Sequence, residues 1–267
     1  MATALRLFAL FLALAFAPSA RAADEPVDVE LVLAVDVSRS MDVAERDLQR
    51  QGYRDALRHP DVIGAIRSGL HGRIALTYVE WSGPGSESVV VPWRLVADEA
   101  SAAGFAAEIG PADLAGRFGT SISSVLIFAA ALFENNGFAG ERLVIDVSGD
   151  GPNNSGYPVE PARDAVIARG IVINGLPIVL RPGGGGGFRG FDIADLDLYY
   201  RDCVVGGPGA FAIPVTSTDE FETAIRRKLI QEIAAAQPRL MFAAAKSVAG
   251  GSDCLIGEKM RQNWMGR

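Results

Sequence analysis

Leu31–Ser40 reads LVLAVDVSRS, and how this stretch is read decides the fold. The run is rich in Val and Leu and holds no Gly or Pro, so it predicts a strand buried on both faces. It ends in Asp36-x-Ser38-x-Ser40, which sets three oxygen-bearing side chains at alternate positions. A turn leaving the strand can curl all three around one point. A carboxylate and two hydroxyls meeting there suit a small hard cation, which prefers oxygen ligands. The other reading is a Ser/Asp N-cap for a helix beginning near Met41.

Two later segments bear on that choice. Arg117–Ser124 reads RFGTSISS, with Gly119-Thr120 ahead of an apolar helical stretch, Ile122–Phe133. Leu143–Asn154 reads LVIDVSGDGPNN, a second buried strand running into Ser148-Gly149-Asp150-Gly151. The order strand–DxSxS, loop–GT–helix, strand–DG resembles the von Willebrand factor type A (VWA) domain and its metal-ion-dependent adhesion site. In that family the first loop supplies an Asp and two Ser, the second a Thr, and the third an Asp before Gly. The resemblance therefore assigns the metal site to Asp36, Ser38, Ser40, Thr120 and Asp150. It implies Mg²⁺, with Mn²⁺ or Ca²⁺ as substitutes, and a partner protein that presents an Asp or Glu to the open position. Arg39 could face the same acidic group, although an exposed loop Arg is the simpler reading.

The rest of the chain supports an α/β domain. The periodicity predicts helices near Asp42–Arg58, Asp61–Ser68, Asp98–Ile109, Pro161–Arg169 and Thr218–Ala236. Strands are expected at Val29–Val35, Arg142–Ser148, Ile171–Leu180 and Phe211–Val215, and Arg73–Trp81 pairs with Ser88–Val96 in a hairpin across Gly83-Pro84-Gly85. Pro92 suits an edge strand. The fold class is a Rossmann-like, doubly wound, mostly parallel sheet with one antiparallel edge strand and helices on both faces. The VWA-like domain covers residues 27–236, and residues 237–267 form a C-terminal tail with one short helical piece at most.

Residues 1–22 read as a secretory signal peptide: Arg6 precedes the apolar Leu7–Ala17, and Ala20-Arg21-Ala22 fits a cleavage site. Removing Arg6 and Arg21 leaves 23 basic against 32 acidic residues, a formal charge of −9. That balance argues against nucleic acid and against anionic lipid. The mature chain is expected to insert in no membrane and to work in the periplasm or outside the cell. Export allows Cys203 and Cys254 to form a disulfide, worth about 4 kcal/mol in the chain-entropy model, with two buried thiols as the alternative. Neither cysteine lies in a metal loop, so opening the bridge is expected to free the tail and leave the ion site working.

Catalytic signals are few. The histidines, His59 and His71, lie far in sequence from the metal loops, and Ser148-Gly149-Asp150-Gly151 is not a GxSxG elbow. Gly185–Gly190 satisfies GxGxxG but follows Pro182 in a glycine run, away from a first strand, so it reads as a loop. Tyr199, Tyr200 and Arg201 read as packing residues, with a recognition patch as the other reading, and Asp146 as the structural partner of an Arg or of backbone, with a direct metal role as its alternative. The expected function is an exported, metal-dependent protein-binding module and not an enzyme. A structural envelope scaffold that binds without metal, or a metal-assisted hydrolase, are the alternatives.

Overall fold

A computed structural model describes residues 23–41, 43–110, 118–180, 193–234 and 251–266. The signal-peptide reading at 1–22 and the GxGxxG stretch lie outside these residues. Five strands form the main sheet: β2 (Glu30–Asp36), β3 (Ile74–Trp81), β4 (Ser88–Val96), β6 (Leu143–Gly149) and β7 (Ile171–Pro177). Their order is β4-β3-β2-β6-β7. All neighbours run parallel except β3 and β4, so the antiparallel strand that carries Pro92 lies at the edge. There its missing N–H breaks no ladder on the open side. A two-stranded parallel ribbon, β1 (Glu25–Val27) with β5 (Phe138–Gly140), was not anticipated. Segments of three residues are too short to show a period.

Helices cover both faces, for the reason legible in β2. Its alternate residues Leu31, Leu33 and Val35 enter one core with α1 (Val43–Arg58), α2 (Pro60–Arg67), α3 (Glu99–Glu108) and α7 (Phe221–Ala234). Val32 and Ala34 enter the other with α4 (Ile122–Leu132), α5 (Val159–Ile167) and α6 (Leu196–Tyr199). Every residue of β2 is buried, which is why the strand shows no polar alternation. α6 runs into a π-helical turn, Tyr200–Val204, and α8 (Ile256–Met265) lies in the tail. None of the described helices is long and apolar enough to cross a membrane.

The strand expected at Phe211–Val215 is instead a pair of isolated bridges, Gly175 to Ala212 and Ile178 to Val215. The hydrogen bonds give the reason. Gly175 N donates to Phe211 O, Ile213 N to Gly175 O, and Val215 N to Pro177 O. The missing link is the one that Pro177, having no N–H, cannot make, so the ladder breaks at its centre.

The chain leaves β2 through α1 and α2 toward β3 on one side, while β6 leads through α5 to β7 on the other. The strand order therefore reverses between β2 and β6. Ligands of open α/β sheets sit beyond the carboxyl ends of strands at such a point. Asp36 ends β2, and Asp150 follows β6 directly.

Candidate metal centre

Four of the five expected residues meet through side chains. Asp36 is fully buried, and its Oδ1 accepts a 2.7 Å hydrogen bond from Ser38 N, which curls the chain as it leaves β2. Ser38 Oγ and Ser40 Oγ are 2.7 Å apart, and Ser40 Oγ donates to Asp150 Oδ1 at 2.6 Å. Thr120, almost fully buried, is tied through its backbone to the loop after Asp150: its N–H donates to Asn154 Oδ1 and its carbonyl accepts from Asn154 N, each at 2.9 Å. The Gly119 that precedes it has φ +91°, and a Cβ there would lie 2.7 Å from Ser155 Oγ, so the GT pair needs its glycine. The two hydroxyls of the first loop thus bond each other and Asp150, and the N-cap position ahead of α1 lies outside the described residues.

Burial and a neighbouring carboxylate both act on Asp36. Burial pushes the Asp36 carboxyl well above its usual range, and the neighbouring Asp150 charge pushes it further, against hydrogen bonds from Ser38. Asp36 Oδ2 is buried and has no hydrogen-bond partner. A buried carboxylate oxygen in that state is costly unless a cation or donor meets it. Two carboxylates with hydroxyls around one such oxygen form a donor set that fits a hard divalent ion.

Several residues of this region carry no motif in the sequence. Gln49 of α1 donates Nε2 to Asp36 O at 2.9 Å and accepts from Ser148 Oγ at 3.1 Å, which ties the ends of β2 and β6. Tyr200 is fully buried, and its hydroxyl has no hydrogen-bond partner. A Cβ on Gly149 would lie 2.8 Å from that hydroxyl and 3.0 Å from Asp36 Oδ2, so both oxygens close around Gly149. Tyr199 accepts from Asn153 N at 3.1 Å. Both tyrosines therefore pack beneath the loops, whereas Arg201 is exposed and paired with Asp202 at 2.9 Å. Arg39 is exposed and lies over the Phe118 ring, its guanidinium carbon 4.1 Å from the centroid. Asn153 and Asn154 were visible only as the end of the third segment.

Asp146 is partnered, but by a lysine. Lys228 Nζ of α7 lies 2.6 Å from Asp146 Oδ1 and also contacts Glu232 Oε1. Tyr53 donates to Asp146 Oδ2 at 3.3 Å, and Asn174 to Glu232 at 3.0 Å. Burial, then the Asp146 charge, pushes Glu232 up to about 7. The histidines sit elsewhere: His59 caps α2 by accepting from Asp61 N at 3.2 Å, and His71 lies 3.3 Å from Glu141. Cys203 and Cys254 are joined in a disulfide, with Cα atoms 5.5 Å apart.

A doubly wound sheet with these loops at its switch point has the fold of the von Willebrand factor type A domain, and solved structures of that fold superpose on this one. Proximal thread matrix protein 1 of the mussel byssus, solved with a zinc-occupied MIDAS motif, is similar at TM-score 0.54 and 16% identity, over 80% of this chain and 50% of that one. The pilus adhesin SpaC of Lactobacillus rhamnosus GG gives TM-score 0.53 at 13% identity, over 79% and 31%. A von Willebrand factor type A protein of Catenulispora acidiphila gives 0.51 at 18%, over 78% and 43%. This chain thus spans half or less of the length of each. No curated protein matches it by sequence. The chain belongs to the family described as "Protein of unknown function (DUF1194)", whose model matches residues 26–237.

Proposed function

We propose that this protein is an exported, metal-dependent protein-binding module. Asp36, Ser38, Ser40, Thr120 and Asp150 would hold a divalent ion, Mg²⁺ by its preference for oxygen. The observation that carries the reading is the buried, partnerless Asp36 Oδ2, linked through Ser38 and Ser40 to Asp150. When bound, the ion supplies a Lewis-acidic position for a carboxylate of a partner protein. Asp36 and Asp150 would contribute the charge, and the hydroxyls neutral donors. Gln49 keeps the two strand ends in register. Residues 1–22 would direct the chain to the periplasm or the outside, and residues 27–236 would form the binding domain. Zinc in the motif of the mussel protein supports divalent occupancy, although its overall likeness speaks to the fold alone.

The test has two arms. Calorimetry should detect Mn²⁺ or Mg²⁺ binding that Asp36→Ala and Asp150→Ala abolish without loss of fold. Affinity capture from cell-envelope extract should recover a partner with Mg²⁺ and lose it with EDTA. Thr120→Ala should weaken that capture at least about tenfold, because a ligand lost to a charged centre costs more than the ~1 kcal/mol of a neutral hydrogen bond. Equal ion affinity in wild type and both Asp variants would refute the assignment. A partner held equally with EDTA and by Thr120→Ala would make the protein a metal-independent scaffold, and substrate turnover would make it a hydrolase.

A further inference from the structure

The tail, separate from the metal loops in sequence, lies on them in the fold. Gly257 of α8 packs so closely that a Cβ there would come within 2.1 Å of Asn153 O. The next residue, Glu258, accepts a 2.6 Å hydrogen bond from Asn153 Nδ2. Asn153 is fully buried: Nδ2 donates also to Tyr157 O at 3.0 Å, Oδ1 accepts from Ser123 N at 3.0 Å, next to the Thr120 loop, and its own N–H donates to Tyr199 at 3.1 Å. Asn154 beside it holds Thr120 N. One turn along α8, Arg261 Nη1 lies 3.3 Å from where a Gly119 Cβ would be. The other end of the segment is tied down twice, by Ser252 N to Asp202 Oδ2 at 3.0 Å and by the Cys203–Cys254 bridge. Cys203 belongs to the same π-helical turn as Tyr200, whose hydroxyl closes on Gly149. α8 also lies beyond the residues that the family model matches.

We propose that the C-terminal segment is a positioning element of the metal centre: Glu258, acting through Asn153, sets the Thr120 and Asp150 loops, and the disulfide keeps it docked. This rests on the ion-binding reading above. Ion affinity then depends on the redox state of the bridge. A dithiol reductant passes two electrons and two protons to the bridge and leaves as its own disulfide, giving the Cys203 and Cys254 thiols. The tail then stays docked only by the Ser252–Asp202 bond and α8's own contacts.

The measurements are Mn²⁺ calorimetry on the full mature chain and hydrogen exchange at the Thr120 and Ser123 amides without metal. Glu258→Ala should weaken Mn²⁺ about tenfold, the usual scale for a lost outer-shell partner, and should speed exchange at both amides. Glu258→Gln keeps an oxygen acceptor for Asn153 and should restore both values, which a mere loss of helix packing would not allow. Gly257→Leu, which undocks α8 with the bridge intact, should act like Glu258→Ala. Cys203→Ser/Cys254→Ser should also weaken Mn²⁺, as should a dithiol on the wild type. Oxidised wild type that binds Mn²⁺ with an affinity shared within twofold by Glu258→Ala and Gly257→Leu would overturn this inference and leave the ion reading intact. Oxidised wild type that binds no Mn²⁺ would overturn both.

Discussion

Replacing Lys228 with Met tests the charge cluster under the site. The side chains of Lys228 and Glu232 are fully buried and that of Asp146 is 1% exposed, so two carboxyls share one ammonium out of water. Removing one partner of a buried ion pair usually costs about 3–5 kcal/mol. For a domain of this size that corresponds to a fall of roughly 6–20 °C in Tm. The pH dependence gives the sharper check. Glu232, at about 7 in the folded chain against an ordinary 4.5, takes up a proton on folding between those values. Its contribution to stability is full below 4.5 and is lost as the pH rises through 7. Asp146 is raised too, with burial the main cause, so it acts in the same direction. Without Lys228 the attraction that lowers both carboxyls disappears, and both rise further. The deficit of Lys228→Met should therefore be larger at pH 8 than at pH 5, by at least about 1 kcal/mol, since one pKa unit is worth about 1.4. Urea unfolding at the two pH values measures it, and Lys228→Met/Glu232→Gln should recover part of the loss at pH 8. Equal deficits at both pH values, or a loss under about 1 kcal/mol at pH 8, would refute the reasoning.

Two further perturbations separate the site from its frame. Gly149→Ala puts a Cβ 2.8 Å from the Tyr200 hydroxyl and 3.0 Å from Asp36 Oδ2, so calorimetry should show weaker Mn²⁺ binding, and adding Tyr200→Phe should return part of it. At the far side of the fold, Asp98 caps α3 by accepting from Ser101 N at 2.8 Å, and those Ser101 bonds hold its carboxyl below the usual range. Asp98→Ala should lower the thermal midpoint by a few degrees at neutral pH while leaving ion binding unchanged. Because the folded pKa is depressed, that difference should fade as the pH falls below 3.8 and through the folded value.

The sequence alone determined the layered sheet, its antiparallel edge and the identities of the three loops. Those features are local: β2 and β6 are apolar runs whose ends carry Asp36-x-Ser38-x-Ser40 and Gly149-Asp150, and Pro92 marks an edge because a missing N–H acts on its own strand. The sequence also showed that Asp146 needs a partner, since a carboxylate in a buried strand is costly alone. It could not show that the partner is Lys228, which lies 82 positions later and reaches Asp146 only because α7 packs on that face of the sheet. The break of the last ladder at Pro177 required knowing which N–H would have paired there. Gln49 and Asn153 were silent for the same reason: each joins segments through one side chain, with no period or spacing to announce it. The largest difference concerns the tail. In sequence, Cys203 and Cys254 stand apart from every metal loop. The tertiary structure lays α8 across Asn153 and beside Gly119, because the bridge and Ser252 anchor one end of the segment while Gly257 lets its backbone reach the third loop.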